Sequence, residues 1–92
     1  MIKSFRHKGL ALFFMKSDRS KINAKHVARI RRILDTLDVA AKAEDMNLPG
    51  LDFHPLTGDR KGTDSVSVSG NWRITFRFVA GDVLDVNLED YH

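Results

Sequence analysis

The chain has 92 residues, with 15 Lys or Arg against 12 Asp or Glu for a net charge of +3, and it contains no cysteine. That length holds one modest core, so residues 1–92 are read as one domain, and a large cofactor-binding fold or a second lobe is excluded. Without cysteine there are no thiolate metal sites, cysteine nucleophiles or disulfides, and a reducing cytoplasm is the expected compartment. The small net charge hides a polarised chain. Residues 1–34 carry ten Lys or Arg against Asp18 alone, a balance of +9, whereas residues 35–92 carry five against eleven acids, a balance of −6. The basic portion is a candidate surface for a polyanion or an acidic partner.

In chain order, Ile2 to Phe5 reads as a short strand and Gly9 to Met15 as a short helix, with Leu10, Phe13 and Phe14 on one face. The basic start and the apolar run from Leu10 to Met15 imitate a signal peptide, but Lys16-Ser17-Asp18-Arg19 stands where a small-residue cleavage site belongs, so export is not expected. No stretch is long enough to cross a bilayer. Lys16 to Ile22 is a polar connection, and Asn23 is placed to cap a longer helix. The apolar stripe of that helix is Val27, Ile30, Leu34, Leu37 and Ala41, widened by Ile33 and Ala40. Lys25, Arg29, Arg31 and Arg32 fall mostly off the stripe and are expected in solvent. Asn47-Leu48-Pro49-Gly50 breaks the helical pattern.

After that break the period becomes two. Val66 and Val68 alternate with serines, Trp72, Ile74, Phe76 and Phe78 with Arg73, Thr75 and Arg77, and Leu84, Val86 and Leu88 with Asp85, Asn87 and Glu89. These are strands with one buried face each, joined by Gly-containing turns, hence an antiparallel meander. The fold class is therefore α+β, with two N-terminal helices packed on a small antiparallel β-sheet.

The alternation also predicts register, because directly opposed residues share a face. A loop Ser69-Gly70-Asn71 pairs Val68 with Trp72 and Ser67 with Arg73. A loop Ala80-Gly81-Asp82 pairs Phe78 with Leu84, Arg77 with Asp85, Arg73 with Glu89 and Asn71 with Tyr91. A two-residue second loop is rejected, because it sets Phe78 against Asp85. Leu51 and Phe53 then point inward, which sends His54 to the polar face with Arg73, Arg77, Asn71 and Tyr91.

None of His7, His26, His54 and His92 has a spacing diagnostic of a metal site, and neither a phosphate loop nor a serine elbow occurs, so no metal or cofactor is expected. His, Arg and Tyr suit general acid/base chemistry with electrostatic support, as in RNA cleavage through its own 2′-hydroxyl. Pro55 holds His54 extended, and imidazole titrates in the right range for proton transfer. Arg73 is a candidate phosphate clamp, although an ordinary cross-strand ion pair with Glu89 accounts for it equally well, and Arg77 opposite Asp85 invites the same reading. Tyr91 and His92 read by default as a frayed tail, against which stands the predicted pairing of Tyr91 with Asn71.

Five segments in order, Met1–Phe5, His7–Leu10, His54–Gly62, Asn71–Phe76 and Glu89–His92, make the whole chain resemble toxins of the HigB group in the RelE/ParE superfamily. The resemblance implies a RelE-like microbial RNase fold and a ribosome-dependent, metal-independent endoribonuclease that cuts the mRNA codon in the vacant A site. Carried over by position, it implies a catalytic group of His54, Asn71, Arg73, Asp90, Tyr91 and His92. His54 and His92 become the proton-transfer candidates, Arg73 the phosphate clamp, and Tyr91 a base-stacking or hydroxyl-donating group. Parity sets His92 on the inward side, unless the strand end turns. Thr57 stands where relatives often carry Lys, and Ser69 where a basic residue is frequent. Arg60 and Lys61 from the same loop are candidate compensating cations, and Arg77 is a further candidate for RNA or phosphate. The implied partners are a HigA-type helix-turn-helix antitoxin, through which the toxin contacts operator DNA indirectly, and the ribosome with its mRNA. A ParE-like inhibitor of DNA gyrase, non-enzymatic on a similar fold, is the competing reading; it has no use for His54 and a terminal Tyr91-His92.

Overall fold

Two short helices owe their limits to side chains that the sequence places at their ends. His7 accepts the Leu10 N–H at Nδ1 and so opens α1, Lys8–Lys16. Ser17, in the left-handed region at φ 56°, closes it, with the Ser17 and Asp18 amides donating to Phe13 and Leu12 carbonyls. Asn23 accepts the Lys25 N–H and starts one 3₁₀ turn, Ala24–His26, that leads into α2, Val27–Val39. The structure, a computed structural model, describes residues 1–90.

The strands are β1 (His54–Pro55), β2 (Asp64–Ser69), β3 (Trp72–Val79) and β4 (Asp82–Asp90), paired antiparallel in chain order. Ile2 and Phe5 bridge Val83 and Val86 in parallel, so the N-terminal segment runs along the free edge of β4. Asp38 of α2 accepts the Ile2 N–H at 2.9 Å and pins that segment to the helical layer. The core lies between helices and sheet. Leu10, Ile30, Ile33, Leu34 and Leu37 from the helices meet Val66, Ile74, Phe76, Val83 and Val86 from the strands, all buried. The α+β expectation therefore holds, as do the burial of Leu51 and the inward packing of Phe53.

Several local expectations are corrected. The long helix stops at Val39, not in the segment Asn47–Gly50, because Asp45 Oδ2 accepts the Ala41 and Lys42 amides and draws the backbone into another short turn. Ala41 is accordingly exposed, and buried Met46 fills the space beyond the helix. Of the four basic residues assigned to solvent, Lys25 and Arg32 are exposed. Arg29 instead donates to the carbonyls of Ser67 and Gly50, and Arg31 lies 4.4 Å over the Phe13 ring.

The register holds where the sheet is regular and changes at two bulges. Ser67 pairs with Arg73 and Arg73 with Glu89, as expected and in keeping with parity. Val68 is not opposite Trp72, because Ser69 takes that place and leaves the two-residue turn Gly70-Asn71. The second turn likewise has two residues, Ala80-Gly81, against the expected three; it sets Phe78 opposite Val83, not Asp85, and Arg77 opposite Leu84. A bulge reconciles both observations. Phe76 faces two residues, Asp85 and Val86, and Asp85 adopts φ 57°, so parity flips between the hairpin end and the rest of β4. Val83 consequently takes the buried position that alternation gave to Leu84, which is only half-buried. The Asp85 amide, removed from the ladder, donates to Ser4 Oγ at 2.9 Å.

Candidate active site

The outer face of the sheet is the polar one, and its groups are knit into two clusters. The first grows from the segment before β1. Leu51 is buried, its carbonyl accepts the Ser67 amide at 2.7 Å, and the preceding Gly50 carbonyl is held by Arg29, so the entry to His54 is anchored from both layers. Asp52 follows at φ 48°, a left-handed conformation that turns its carbonyl back toward the sheet. That carbonyl oxygen lies 3.1 Å from His54 Nδ1 and also accepts from Arg73 Nη2. The Asp52 carboxylate stands 3.5 Å from His54 Nδ1 and 3.3 Å from Arg73 Nη1. With two acceptors beside Nδ1, the neutral ring carries its proton there and leaves Nε2 as the basic nitrogen.

Arg73 is far more fixed than its neighbours. Its side chain is 13% exposed, against 62% for His54 and 63% for Asp52. Nε donates to Ser65 Oγ at 2.9 Å, and Ser65, fully buried opposite His54, donates onward to the His54 carbonyl at 3.3 Å. The guanidinium thus sits at the wall of a cleft of about 400 Å³ lined by His54, Pro55, Leu56, Thr57, Ser65, Gly70, Asn71 and Arg73. The cleft offers a base, a planar cation and amide and hydroxyl groups side by side, which is the equipment for holding and protonating a phosphodiester.

The second cluster lies farther along the same face. Arg60 donates to both Glu89 oxygens at 2.7 and 2.6 Å, and the Thr75 hydroxyl, 1% exposed, donates to Glu89 as well. The Arg60 guanidinium bonded to Glu89 holds its carboxyl below the usual glutamate range, with the Thr75 bond assisting and partial burial opposing. Glu89 therefore pairs with Arg60 and not with Arg73, despite standing opposite Arg73 in the ladder. Arg77 pairs with Asp85 at 2.9 Å, so that expected ion pair forms even though the bulge sets Leu84 opposite Arg77.

Of the residues singled out from sequence, His54, Asn71 and Arg73 meet in the cleft, and Thr57 joins them. Lys61 is exposed on the turn beyond Arg60. Asp90 pairs with Trp72 and by parity lies on the other face from Arg73. Tyr91 and His92 lie outside the described residues. Sequence reading missed Asp52 and Ser65. Both carried a signal: alternation puts Asp52 on the side of His54, and Ser65 occupies a polar-face position that was read as a mere spacer.

The chain matches the family model described as "RelE-like toxin of type II toxin-antitoxin system HigB" over residues 3–92. It is 48% identical over 92 residues to a protein of Proteus vulgaris named Endoribonuclease HigB, each chain covered in full. It is 29% identical over 93 residues to Toxin HigB-1 of Vibrio cholerae serotype O1, covering 99% of this chain and 98% of the other. Among solved structures, a mutant of YafQ from E. coli superimposes with a TM-score of 0.55 at 16% identity, covering 98% of this chain and 91% of that one. YafQ from E. coli strain BL21(DE3) gives a TM-score of 0.54 at 13% identity over the same shares, a likeness of fold alone. The chain belongs to the HigB-like family, the RelE-like toxins of type II toxin–antitoxin systems.

Proposed function

We propose that this toxin is an endoribonuclease that cuts mRNA in the ribosomal A site through the RNA's own 2′-hydroxyl. The observation that carries the reading is the convergence of His54, Asn71 and Arg73 in one cleft, with Arg73 aligned by Asp52 and Ser65. The similarity to a protein named as an endoribonuclease supports it. Arg73 exchanges the Asp52 carboxylate for the scissile phosphate and neutralises charge as the 2′-oxygen attacks phosphorus. One proton leaves the 2′-oxygen and one reaches the departing 5′-oxygen; His54 and His92 divide these two transfers, and the products are a 2′,3′-cyclic phosphate and a free 5′-hydroxyl. Asn71 contacts the RNA from the turn, Tyr91 stacks on a base or donates its hydroxyl, and Asp90 completes the group implied by the resemblance.

A toxin of this class has an antitoxin partner by membership of the family. That partner is a HigA-type helix-turn-helix protein, through which the pair reaches operator DNA. The basic front, where Lys3, Lys8, Lys16, Arg19, Lys21, Lys25 and Arg32 are all exposed, suits ribosomal RNA. No helix among the described residues is long and apolar enough to cross a membrane. On this reading the protein acts in the cytoplasm, where ribosomes translate mRNA.

Primer extension on an mRNA during translation tests the reading, with wild type beside Arg73→Ala and His92→Ala. Cuts inside translated codons that disappear in both variants are expected. Intact message together with stalled DNA gyrase would sink the proposal and favour a non-enzymatic toxin.

A further inference from the structure

A second pocket, of about 230 Å³, lies on the other side of β3 from the cleft and plays no part in the chemistry above. His7, Lys21, Asn23, His26, Trp72 and Leu88 line it. Trp72 is 39% exposed, an unusual position for an indole that shares its face with the core strands. The polar groups around it are set by local structure. His7 uses Nδ1 to accept from the Leu10 amide, so in its neutral form it keeps a proton on Nε2 to donate. Burial pushes the His7 imidazolium down and favours that neutral form. Asn23 spends its oxygen on the Lys25 amide, which leaves its NH₂ group as donor. Gly9 lets these walls close together, because a Cβ there would stand 2.7 Å from Lys21 Cβ and 2.8 Å from His7 Cε1.

The two pockets are neighbours through the chain itself: Asn71 lines the cleft and Trp72, the next residue, lines the second pocket. Successive strand residues point to opposite faces, so a strand of RNA leaving Arg73 reaches Trp72 by crossing the Gly70-Asn71 turn. We propose that the second pocket takes one unpaired nucleobase of the RNA strand held at Arg73, stacked on the Trp72 indole. The inference rests on the nuclease reading above. An exposed aromatic face with imidazole, amide and ammonium donors at its rim, and no carboxylate among the described lining residues, is the chemistry of single-stranded base recognition. The volume suits one ring system and not a partner's helix.

Trp72 is the one tryptophan of the chain, so its fluorescence reports this pocket directly. Titration with a 2′-O-methyl hexanucleotide, which is not cleaved through a 2′-hydroxyl, is expected to quench the indole. Trp72→Ala, followed by anisotropy of a labelled hexanucleotide, is expected to weaken binding about tenfold. Lys21→Ala, at an exposed position, and His26→Ala, at a half-buried one whose folding is checked by thermal unfolding, are expected to weaken it by a smaller factor. Absence of quenching, or wild-type affinity in Trp72→Ala and Lys21→Ala, overturns the inference. Quenching by the antitoxin but not by the oligonucleotide overturns it in favour of a protein surface. The primer-extension assay runs in parallel: cleavage that depends on Arg73 alongside unchanged oligonucleotide affinity in these variants overturns the base site and leaves the nuclease reading intact.

Discussion

The polar sheet face holds two arginine–carboxylate clusters of like composition and opposite character. Arg60 and Glu89 form a two-pronged pair at 2.6 to 2.7 Å, with Glu89 also bonded to a buried threonine. The side chains of Arg73 and Asp52 make one contact at 3.3 Å, through a carboxylate that is 63% exposed. In the first pair both oxygens are committed and the carboxylate is only 21% exposed, so exchange for a ligand means breaking two charge-assisted bonds. In the second, the arginine is held by Ser65 and by a backbone carbonyl, while the carboxylate contact is weak enough to be displaced by a phosphate. Under the proposed mechanism Arg73 is suited to take a phosphate because its anchor and its exchangeable partner are different groups.

The comparison is broken most severely at Arg73. Arg73→Ala is expected to lower codon-specific cleavage by about 100-fold or more while thermal unfolding stays cooperative. A comparable loss in Arg60→Ala, with unchanged stability, would show that the two clusters had been assigned the wrong way round.

Glu89→Gln acts on the structural cluster and is expected to lower unfolding free energy by about 2 kcal/mol at neutral pH, measured by denaturant titration. Because the Glu89 carboxyl is held below its ordinary value in the folded protein, its contribution is present above the unfolded glutamate pKa. That contribution is lost as pH falls through the folded value. The difference between wild type and variant should therefore shrink in acid, and a difference independent of pH would remove the ion pair from the account.

Thr57→Lys adds a cation to the cleft and is expected to raise cleavage several-fold. Asp52→Asn sharpens the same contrast by removing the displaceable charge and keeping a side chain that tolerates φ 48°. Oligonucleotide binding is expected to tighten about threefold, since Coulomb attraction between exposed groups is modest; unchanged affinity would mean that the carboxylate does not compete. The smallest effect is a control outside both clusters. Ala80, at φ 52° in the second turn, is replaced by Gly, for a gain of about 0.5 kcal/mol in stability with cleavage unaltered.

Local patterns in the sequence determined the two helices, the antiparallel meander and the polar face, because periods of 3.6 and 2 are properties of the backbone within a few residues. Parity, taken with three-residue loops, predicts Ser67 opposite Arg73 and Arg73 opposite Glu89; both pairs form, although each loop has two residues and a bulge restores the register, and parity also sets His54 on the face of Arg73. Tertiary structure decided what parity does not reach. The bulge at Asp85 depends on the N-terminal segment, whose Ser4 hydroxyl satisfies the displaced amide, and it allowed the two-residue turn that strict alternation forbids. It also decided which acid each arginine holds. A guanidinium chooses among carboxylates by distance and aim, and Arg73 found Asp52 because Arg29 and Leu51 fix a loop whose path no alternation in the sequence records.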